Sequence, residues 1–480
     1  MKEIKSINRP LIIIGLAIVF LIGMSYIPDG ITVFGIEIKK VNILEDLRYD
    51  DADKNLEEKE ITADSIQSFN DNDRNVNLAS ISLSTSLNFS ESLVFFIENE
   101  YEKFDNVTTH NPPTFKNHPL EGNLGQLKYF FDALDNSKKS QVRVAHFGDS
   151  ALEGDLVTAY LRNKFQQKFG GKGVGFLPIT SEDINFRETT KIRFSDDWTT
   201  ASITGSNPDN IPVGITGKAF LNSEGSWVKY EAIPKFRTVR NFDIAKIFYG
   251  NANANSIIKY SLDNTAEKSI SLVAGNGVKE FAIEHKNAKS LKLIFPAAKS
   301  AYFYGVSLES KTGVCIDNFP LRGNSGVDLK KIPKDILTQF DSLLNYKLVI
   351  LEFGLNILSG RKTNFNKYEK DMIEVVNEFK ELFPQTSFLL IGVHDKCIKR
   401  RRDFITDPAI KKLVRTQKRI AEKTNIAFWN LFEAMGGENS MADWVNANPP
   451  LAYSDYIHFN TLGTKEEAEM LFKTIMDAKN

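Results

Sequence analysis

The chain has 480 residues, of which 42% are hydrophobic and 25% are charged. These globular proportions exclude a wholly disordered, a collagen-like or a polytopic membrane protein, and the length allows two to four domains of about 100–200 residues each. Sixty basic residues against 61 acidic ones leave a formal charge of -1. The net charge therefore gives no reason to expect nucleic acid as a partner. Cys315 and Cys397 are too few for a disulfide framework, and their spacing predicts no metal site, although the two could still pair.

An apolar segment without charges occupies residues 11–27, a length at the short end for a membrane-spanning helix. Basic residues precede it, which predicts that residues 1–10 form a cytoplasmic tail and that the rest lies outside the inner membrane, in the periplasm or beyond. We therefore predict a transmembrane signal-anchor over 11–27. A cleaved signal peptide is the alternative, because residues 23–25 resemble a small-x-small cleavage site.

We predict that residues 28–92 form an exported and largely disordered linker. The stretch 45–74 is strongly acidic and poor in aromatic residues, and residues 75–92 are rich in Ser and Asn. Such a composition buries too little apolar surface to offset the entropy of folding. The alternative is that the acidic stretch binds a partner.

Ordered structure is predicted to begin near residue 93. The apolar runs are continuous, as is typical of strands buried on both faces of a parallel sheet. The predicted strands are residues 142–147, 314–319, 347–352, 387–393 and 426–431. Helical patterns alternate with the later strands, at about 365–382, 408–423 and 464–478. This alternation predicts an α/β domain with a parallel sheet.

Residues 191–312 show a different pattern. Short segments of alternating polarity are separated by turn residues at intervals of roughly 8–12 residues, which is typical of an all-β sandwich. The sandwich is predicted as an insertion between the first and second strands of the α/β domain. That domain is accordingly split into a first part, 93–190, and a second part, 313–480.

Ser150 ends the sequence Phe-Gly-Asp-Ser, which follows the first predicted strand and precedes a helical pattern. Ligands of open α/β sheets bind at the carboxyl ends of the strands, and a helix N-terminus attracts anions. Both features favour Ser150 as a reactive residue. Gly-Asp-Ser is also an ordinary turn sequence.

Asp455 and His458 lie three residues apart in a predicted loop before the last helix. At that spacing the carboxylate can fix the tautomer of the imidazole and leave the other ring nitrogen as a base for a serine. The alternative is a local cap of the helix, with His458 as a surface residue.

Two further residues follow predicted strands. Asn356 comes just after the strand 347–352, where its amide can donate to an oxyanion. Gly326 lies after the strand 314–319, where the absence of a side chain lets a backbone N–H approach a substrate. Gly323 is the alternative glycine in the same segment.

The order Ser, Gly, Asn, Asp-x-x-His resembles the block order of the SGNH (GDSL-like) hydrolases. The resemblance covers about 128–190 and 313–480, with Ile357 after the block asparagine where the family usually has an acidic residue. It implies a three-layer αβα, flavodoxin-like domain that acts through a serine nucleophile without a metal or an organic cofactor.

The same resemblance implies a role for each matched residue. Ser150 matches the nucleophile, and Asp455 with His458 completes the catalytic triad. The backbone N–H groups of Ser150 and Gly326 and the side-chain amide of Asn356 are implied to form the oxyanion hole.

Residues 147–176 more narrowly resemble the first block of exported peptidoglycan O-acetylesterases, which also carry a carbohydrate-binding-like sandwich after that block. The resemblance implies an esterase that removes O-acetyl groups from a cell-wall or extracellular polysaccharide through an acyl-enzyme. Related proteins are polysaccharide O-acetyltransferases, so an alternative is transfer of acetyl groups supplied by a membrane-bound acyltransferase. A catalytically inactive glycan-binding protein is a further alternative.

Three residues are candidates for contact with the glycan. Trp227 and Tyr230 lie in the predicted sandwich, where aromatic rings stack on sugars but also fill cores. His394 follows the strand 387–393 and is predicted either to line the site or to belong to a structural turn.

Overall fold

The computed structural model describes residues 31–33, 36–38, 115, 118–183, 186–297, 299–358 and 363–479. The chain divides into two compact units, Met1–Asn106 and Val107–Asn480. The predicted membrane segment 11–27 and the predicted start of order near residue 93 lie outside the described residues. Within the described ranges, no helix is long and apolar enough to cross a membrane.

The strands of the described residues, in chain order, are β1 (Ile31–Val33), β2 (Ile36–Ile38), β3 (Glu121–Gly122), β4 (Gln141–Gly148), β5 (Gly175–Leu177), β6 (Thr190–Phe194), β7 (Thr199–Ser202), β8 (Lys218–Leu221), β9 (Ser226–Ala232), β10 (Phe242–Gly250), β11 (Ile257–Leu262), β12 (Lys268–Ser271), β13 (Lys279–Ala288), β14 (Ser290–Phe295), β15 (Tyr302–Glu309), β16 (Gly313–Pro320), β17 (Tyr346–Glu352), β18 (Ser387–Gly392), β19 (Cys397–Arg400), β20 (Asp403–Thr406) and β21 (Ala427–Asn430). The α-helices are α1 (Lys128–Asp135), α2 (Leu156–Phe169), α3 (Lys334–Leu344), α4 (Asn366–Leu382), α5 (Ile410–Thr424), α6 (Leu431–Ala434), α7 (Ser440–Val445) and α8 (Thr461–Lys479). Short 3-10 helices are Leu124–Leu127, Ser150–Asp155, Val327–Lys331 and Leu355–Ile357.

In the first unit, β1 and β2 form an antiparallel pair. This pair lies within the stretch 28–92, which the sequence predicts to be largely disordered.

The second unit contains a six-stranded sheet in the order β16-β4-β17-β18-β21-β3. The first five strands are parallel, and β3 joins the edge in the antiparallel direction. Numbered along the chain, the five parallel strands have the order 2-1-3-4-5, which is the flavodoxin-like arrangement. The predicted α/β class with a parallel sheet is therefore confirmed.

Helices cover both faces of this sheet. The core on one face joins α3, α4 and α5 to the sheet, and the core on the other face joins α1, α2 and α8. Helix α4 packs on the sheet because its apolar residues repeat at helical spacing and form one buried stripe. The stripe consists of Tyr368, Met372, Val375, Val376 and Phe379. The result is a three-layer αβα domain whose strands are buried on both faces.

Between α2 and β16 the chain forms two antiparallel sheets that pack face to face. One has the order β13-β10-β15-β8-β7, with β5 paired to β15, and the other has the order β12-β11-β14-β9-β6. Their inner faces share one apolar core. Because β5 belongs to the first of these sheets, the β-rich region reaches back to residue 175, before the boundary predicted at 191.

The six-stranded sheet of the sandwich is covered on its second face by the α/β domain. The ring of Phe340 on α3 lies 5.8 Å from that of Phe248 on β10 and 5.5 Å from that of Tyr304 on β15. This sheet therefore lies between α3 and the five-stranded sheet.

Buried charges also join the two regions. Arg143 on β4 donates from Nε to Asp317 Oδ2 on β16 (2.7 Å) and from Nη1 to Glu309 Oε2 on β15 (2.5 Å). All three side chains are at most 1% exposed. Ions removed from water are stable only when they are paired and hydrogen-bonded, so this cluster fixes β15 of the sandwich against the α/β sheet.

Candidate active site

The carboxyl ends of β4, β16 and β17 bring three loops together. The Asn356 amide, after β17, donates to Asp149 Oδ2 after β4 (2.9 Å) and to the Asn324 carbonyl after β16 (3.0 Å). Since these strands are parallel neighbours, their following loops lie at one edge of the sheet. Three of the four predicted blocks thus meet at this edge.

Ser150 begins the 3-10 helix that follows β4. Asp149 caps this helix, because its Oδ1 accepts a hydrogen bond from the Ala151 N–H (3.0 Å). The Ser150 side chain is half-buried, and within the described residues neither its hydroxyl nor its N–H has a hydrogen-bond partner. The hydroxyl is therefore available as a nucleophile, and the N–H is available to an oxyanion.

Asp455 and His458 form a hydrogen-bonded pair within one turn. The His458 Nδ1 lies 2.7 Å from Asp455 Oδ2, and Asp455 Oδ1 accepts from the N–H groups of Ile457 (2.9 Å) and His458 (3.0 Å). The turn fixes the carboxylate, which holds the Nδ1–H tautomer and leaves Nε2 as a base. Asn460, rather than Asp455, caps α8, because it accepts from the Leu462 and Gly463 N–H groups.

The pKa values of this pair move in opposite directions. Burial alone would lower the pKa of His458, but the hydrogen bond and the charge of Asp455 raise it above its ordinary value. Burial alone would raise the pKa of Asp455, but its bonds to His458 lower it. The pair therefore stabilises an imidazolium, as a base that receives the proton of a serine requires.

Within the described residues, no hydrogen bond joins Ser150 to His458. The imidazole does interact electrostatically with Asp149, the residue before Ser150. Hydrogen bonds between catalytic groups are often long in unliganded enzymes and shorten when substrate binds. The structure therefore places the His458 imidazole beside the turn that carries Ser150, without a direct bond to the Ser150 hydroxyl.

The Gly326 N–H, which the sequence predicts as an oxyanion donor, already donates to another group. The Gly326 N–H donates to Asn324 Oδ1 (2.7 Å), and the residue is buried with a φ of +88°. A Cβ at this position would lie 2.9 Å from the ring of Phe353, so only glycine fits. This differs from the free donor that the sequence predicts. The alternative, Gly323, is exposed, with nothing within 4 Å of an added Cβ.

A buried group of acids lies behind the site and is absent from the sequence prediction. Glu352, at the end of β17, lies 2.9 Å through Oε2 from Nε2 of the buried His146. Glu467 on α8 is fully buried, and neither of its carboxyl oxygens accepts a hydrogen bond from the described residues. Burial, and then the charge of Glu352, raises the pKa of Glu467 well above its ordinary value. Burial and the charge of Glu352 thus both favour the neutral form of the Glu467 carboxyl.

Two sequence signals mark these acids. Glu352 ends an otherwise apolar strand pattern, and Glu467 lies on the buried face of α8 with Ala468, Leu471 and Ile475. An acid on an apolar stripe must find a partner or lose its charge. The neighbouring Asp149 is affected similarly, because burial raises its pKa to about 7.

The glycan-contact candidates lie in different places. His394 follows β18, where burial lowers its pKa to about 4 and its ring lies 4.5 Å from that of Phe459, next to His458. Trp227 is half-buried on the outer face of the five-stranded sheet. Tyr230 is fully buried in the sandwich core and donates to the Pro178 carbonyl (2.9 Å), so the prediction that it stacks on a sugar is wrong.

The described residues contain no group of three or more His, Cys, Asp or Glu side chains arranged to hold a metal ion. Cys315 and Cys397 are both buried free thiols.

No protein-family model and no curated protein matches the sequence. Among solved structures, the chain is similar to one titled "Peptidoglycan O-acetylesterase in action", with a TM-score of 0.62 and 19% identity, covering 75% of this chain and 97% of the other. A family two carbohydrate esterase from Cellvibrio japonicus matches with a TM-score of 0.25 and 10% identity, covering 61% and 98% of the two chains. A putative GDSL-like lipase from Parabacteroides merdae matches with a TM-score of 0.27 and 18% identity, covering 34% and 72%. The first of these structures shows the fold of the chain, which agrees with the SGNH hydrolase-like fold that the sequence predicts.

Proposed function

Taking the SGNH hydrolase-like fold as the starting point, we propose that this protein is an exported serine esterase that removes O-acetyl groups from a cell-wall or extracellular polysaccharide. The observation that carries the proposal is the Asp455–His458 pair at the edge of the sheet where Ser150 begins its helix. The printed title of the similar solved structure, a peptidoglycan O-acetylesterase, supports the substrate class. The proposal is tested by measuring acetate released from an O-acetylated polysaccharide.

The proposed reaction has two steps. The Ser150 Oγ attacks the acetyl carbonyl while His458 Nε2 takes its proton, and Asp455 stabilises the imidazolium that forms. The imidazolium then gives the proton to the departing sugar oxygen, which leaves an acetyl group on Ser150. Water, deprotonated by His458, attacks this acyl-enzyme, and the imidazolium returns the proton to Ser150 Oγ as the bond to acetate breaks and acetate leaves.

The oxyanion of each step needs preorganised donors. The Ser150 N–H is available as the structure stands, whereas the Asn356 amide and the Gly326 N–H would exchange their bonds to neighbouring loop groups for the oxyanion. Because Asp149 has a raised pKa, it is a weaker acceptor near neutral pH than an ordinary carboxylate. This favours release of the Asn356 amide to the substrate.

An O-acetyltransferase is the second candidate, in which a sugar hydroxyl replaces water in the second step. The observation that favours it is the apolar segment 11–27, which would hold the chain at the inner membrane, beside a membrane-bound acyltransferase that supplies acetyl groups. Acetylated sugar that appears at the expense of free acetate would support this second candidate over the esterase.

We expect Asn356→Ala to lower kcat by about 10²–10³, with little change in KM, because an oxyanion donor acts mainly in the transition state. The measurement is steady-state hydrolysis of 4-nitrophenyl acetate by the full chain. Asn446→Ala is the matched control, because the Asn446 amide also donates to a backbone carbonyl but the residue lies at the C-terminus of α7, outside the site. A rise in KM with unchanged kcat would show that Asn356 only binds substrate.

The acidic limb of the pH profile of kcat/KM should have an apparent pKa above the ordinary histidine value of about 6.5. A base must be unprotonated, and Asp455 raises the pKa of His458, so activity is lost as pH falls through that raised value. Asp149 faces the imidazole and also raises its pKa, whereas Arg322 lowers it. Asp455→Asn should move the limb to lower pH. The profile is measured from about pH 5 to 9, and a limb unmoved by Asp455→Asn would contradict the assignment of His458 as the base.

A further inference from the structure

The five-stranded sheet has an open outer face. Its inner face packs in the sandwich core, and the six-stranded sheet separates it from the α/β domain. Most outward positions of its strands are exposed or partly exposed, Lys191 and Arg193 on β6 among the exposed ones, whereas Ser261 is buried. This surface is therefore accessible to a large ligand, on the side of the sandwich that faces away from α3.

Basic side chains dominate this surface, which we call the Lys229 face. It comprises the outward residues of five strands, namely Lys191, Arg193, Trp227, Lys229, Glu231, Ile257, Lys259, Ser261, Ser269, Ser271, Lys292 and Ile294. Five of them are cations and Glu231 is the one acid. A surface with this excess of positive charge attracts anions.

Three of the cations form a row across neighbouring strands. Lys292 on β14 is the register partner of Lys229 on β9, which is the partner of Arg193 on β6. Adjacent strands lie about 4.8 Å apart, so the row is on the order of 10 Å long. Like charges directly opposite each other destabilise a sheet. The row is therefore an arrangement that folding stability does not explain.

Acidic partners neutralise only part of this charge. Glu231 pairs with Arg193 and, at 3.1 Å, with Lys229. Within the described residues, Lys191, Lys259 and Lys292 have no ion-pair partner. The Lys292 Nζ lies instead 6.0 Å from the ring centre of Trp227. Three ammonium groups are thus left to meet anions from solution.

The aromatic ring lies in the next row of the same face. Trp227 is the register partner of Ile294, and Ile294 is the partner of Lys259 on the following strand. A half-exposed indole beside an aliphatic side chain offers a flat apolar surface to the C–H face of a sugar, while the cations on both sides offer charge. The pattern thus combines a stacking platform with flanking positive groups.

We propose that the Lys229 face binds a polysaccharide that carries carboxylates on its sugars. This inference rests on the proposed function and narrows its substrate class to an acidic, O-acetylated glycan. A long polymer can contact this face and the Ser150 site at the same time, so binding here raises its concentration at the catalytic edge. Bare phosphate or lipid headgroups would use the cations but leave Trp227 without a role.

The test compares the wild-type full chain, the double variant Lys259→Gln/Lys292→Gln and the single variant Trp227→Ala. The control Lys138→Gln/Lys139→Gln removes two exposed lysines from the loop after α1. Binding to polygalacturonate, to neutral xylan and to phosphatidylglycerol vesicles is measured at low and at raised salt. We expect wild type and control to bind polygalacturonate, weakening with salt, and the double variant to bind about tenfold more weakly, as two lost charge contacts predict. Trp227→Ala should also bind more weakly.

Equal binding of xylan, binding of vesicles alone, or no binding of polygalacturonate by wild type would overturn the proposal. So would unchanged binding by both face variants. Hydrolysis of 4-nitrophenyl acetate is measured in parallel and should not change in any of these variants, because none belongs to the catalytic edge. If wild type did not hydrolyse 4-nitrophenyl acetate, this would contradict the proposed function. Binding of polygalacturonate by wild type in that case would leave the proposed glycan site in place.

Discussion

His458→Ala should lower kcat for acetyl ester hydrolysis by about 10⁴–10⁶, because the loss of a triad member removes proton transfer in both steps. The structure gives the reason: Asp455 holds Nδ1 of His458, which leaves Nε2 as the base. Asp455→Asn should cost less, about 10⁴, since the base stays but its tautomer is no longer fixed. The measurement is single-turnover and steady-state release of acetate by the full chain.

The matched control for this prediction is His285→Ala, which removes an exposed imidazole from β13 of the sandwich. It should leave kcat and KM unchanged. If His458→Ala kept activity within about tenfold of wild type while remaining folded, His458 would not be the base. Residual activity of the variant that depends on added imidazole would, in contrast, support the assignment.

Arg143→Met should lower the free energy of unfolding by about 3–5 kcal/mol, because it leaves the buried carboxylate of Asp317 without its cation and leaves Glu309 with Lys246 alone. The arginine is fully buried, and its bonds connect β4, β16 and β15, so the change should loosen the sandwich from the α/β domain. The measurement is denaturant unfolding followed by both tryptophan fluorescence and far-UV circular dichroism, since a two-region chain need not unfold in one step.

Arg419→Met provides the comparison, because Arg419 is exposed and its partner Glu369 keeps a second cation, Lys423, so the pair should contribute at most about 1 kcal/mol. Neutralising the two acids together with the arginine, in Arg143→Met/Asp317→Asn/Glu309→Gln, should recover part of the loss. A cost of less than about 1 kcal/mol for Arg143→Met alone would mean that water reaches the cluster.

Local patterns predicted much of the fold. The continuous apolar runs of β4, β17 and β18 marked a sheet buried on both faces, and alternating polarity marked the sandwich. The pairing of β5 with β15 was not predictable, because it joins three residues to a strand far along the chain. The Arg143 cluster has the same origin, since its members are close only after the two regions pack.

In the candidate site, too, contacts local in sequence were predictable and contacts between distant loops were not. The Asp455–His458 pair lies within one turn, so its spacing in the sequence already fixed its geometry. The bonds of Gly326 to Asn324 and of Asn356 to Asp149 depend on how three loops meet. Tyr230 was misassigned because it and Trp227 are three residues apart on β9, on opposite faces, and alternation alone does not say which face is the core.

The most direct test of the account is acetate release from an O-acetylated polysaccharide by the full chain and by Ser150→Ala. The variant removes a single oxygen from a half-buried side chain, so its circular dichroism spectrum should match that of wild type. The account predicts that wild type releases acetate and that Ser150→Ala releases none above the uncatalysed background. Acetate release by a folded Ser150→Ala protein at the wild-type rate would contradict the central claim that Ser150 is the nucleophile.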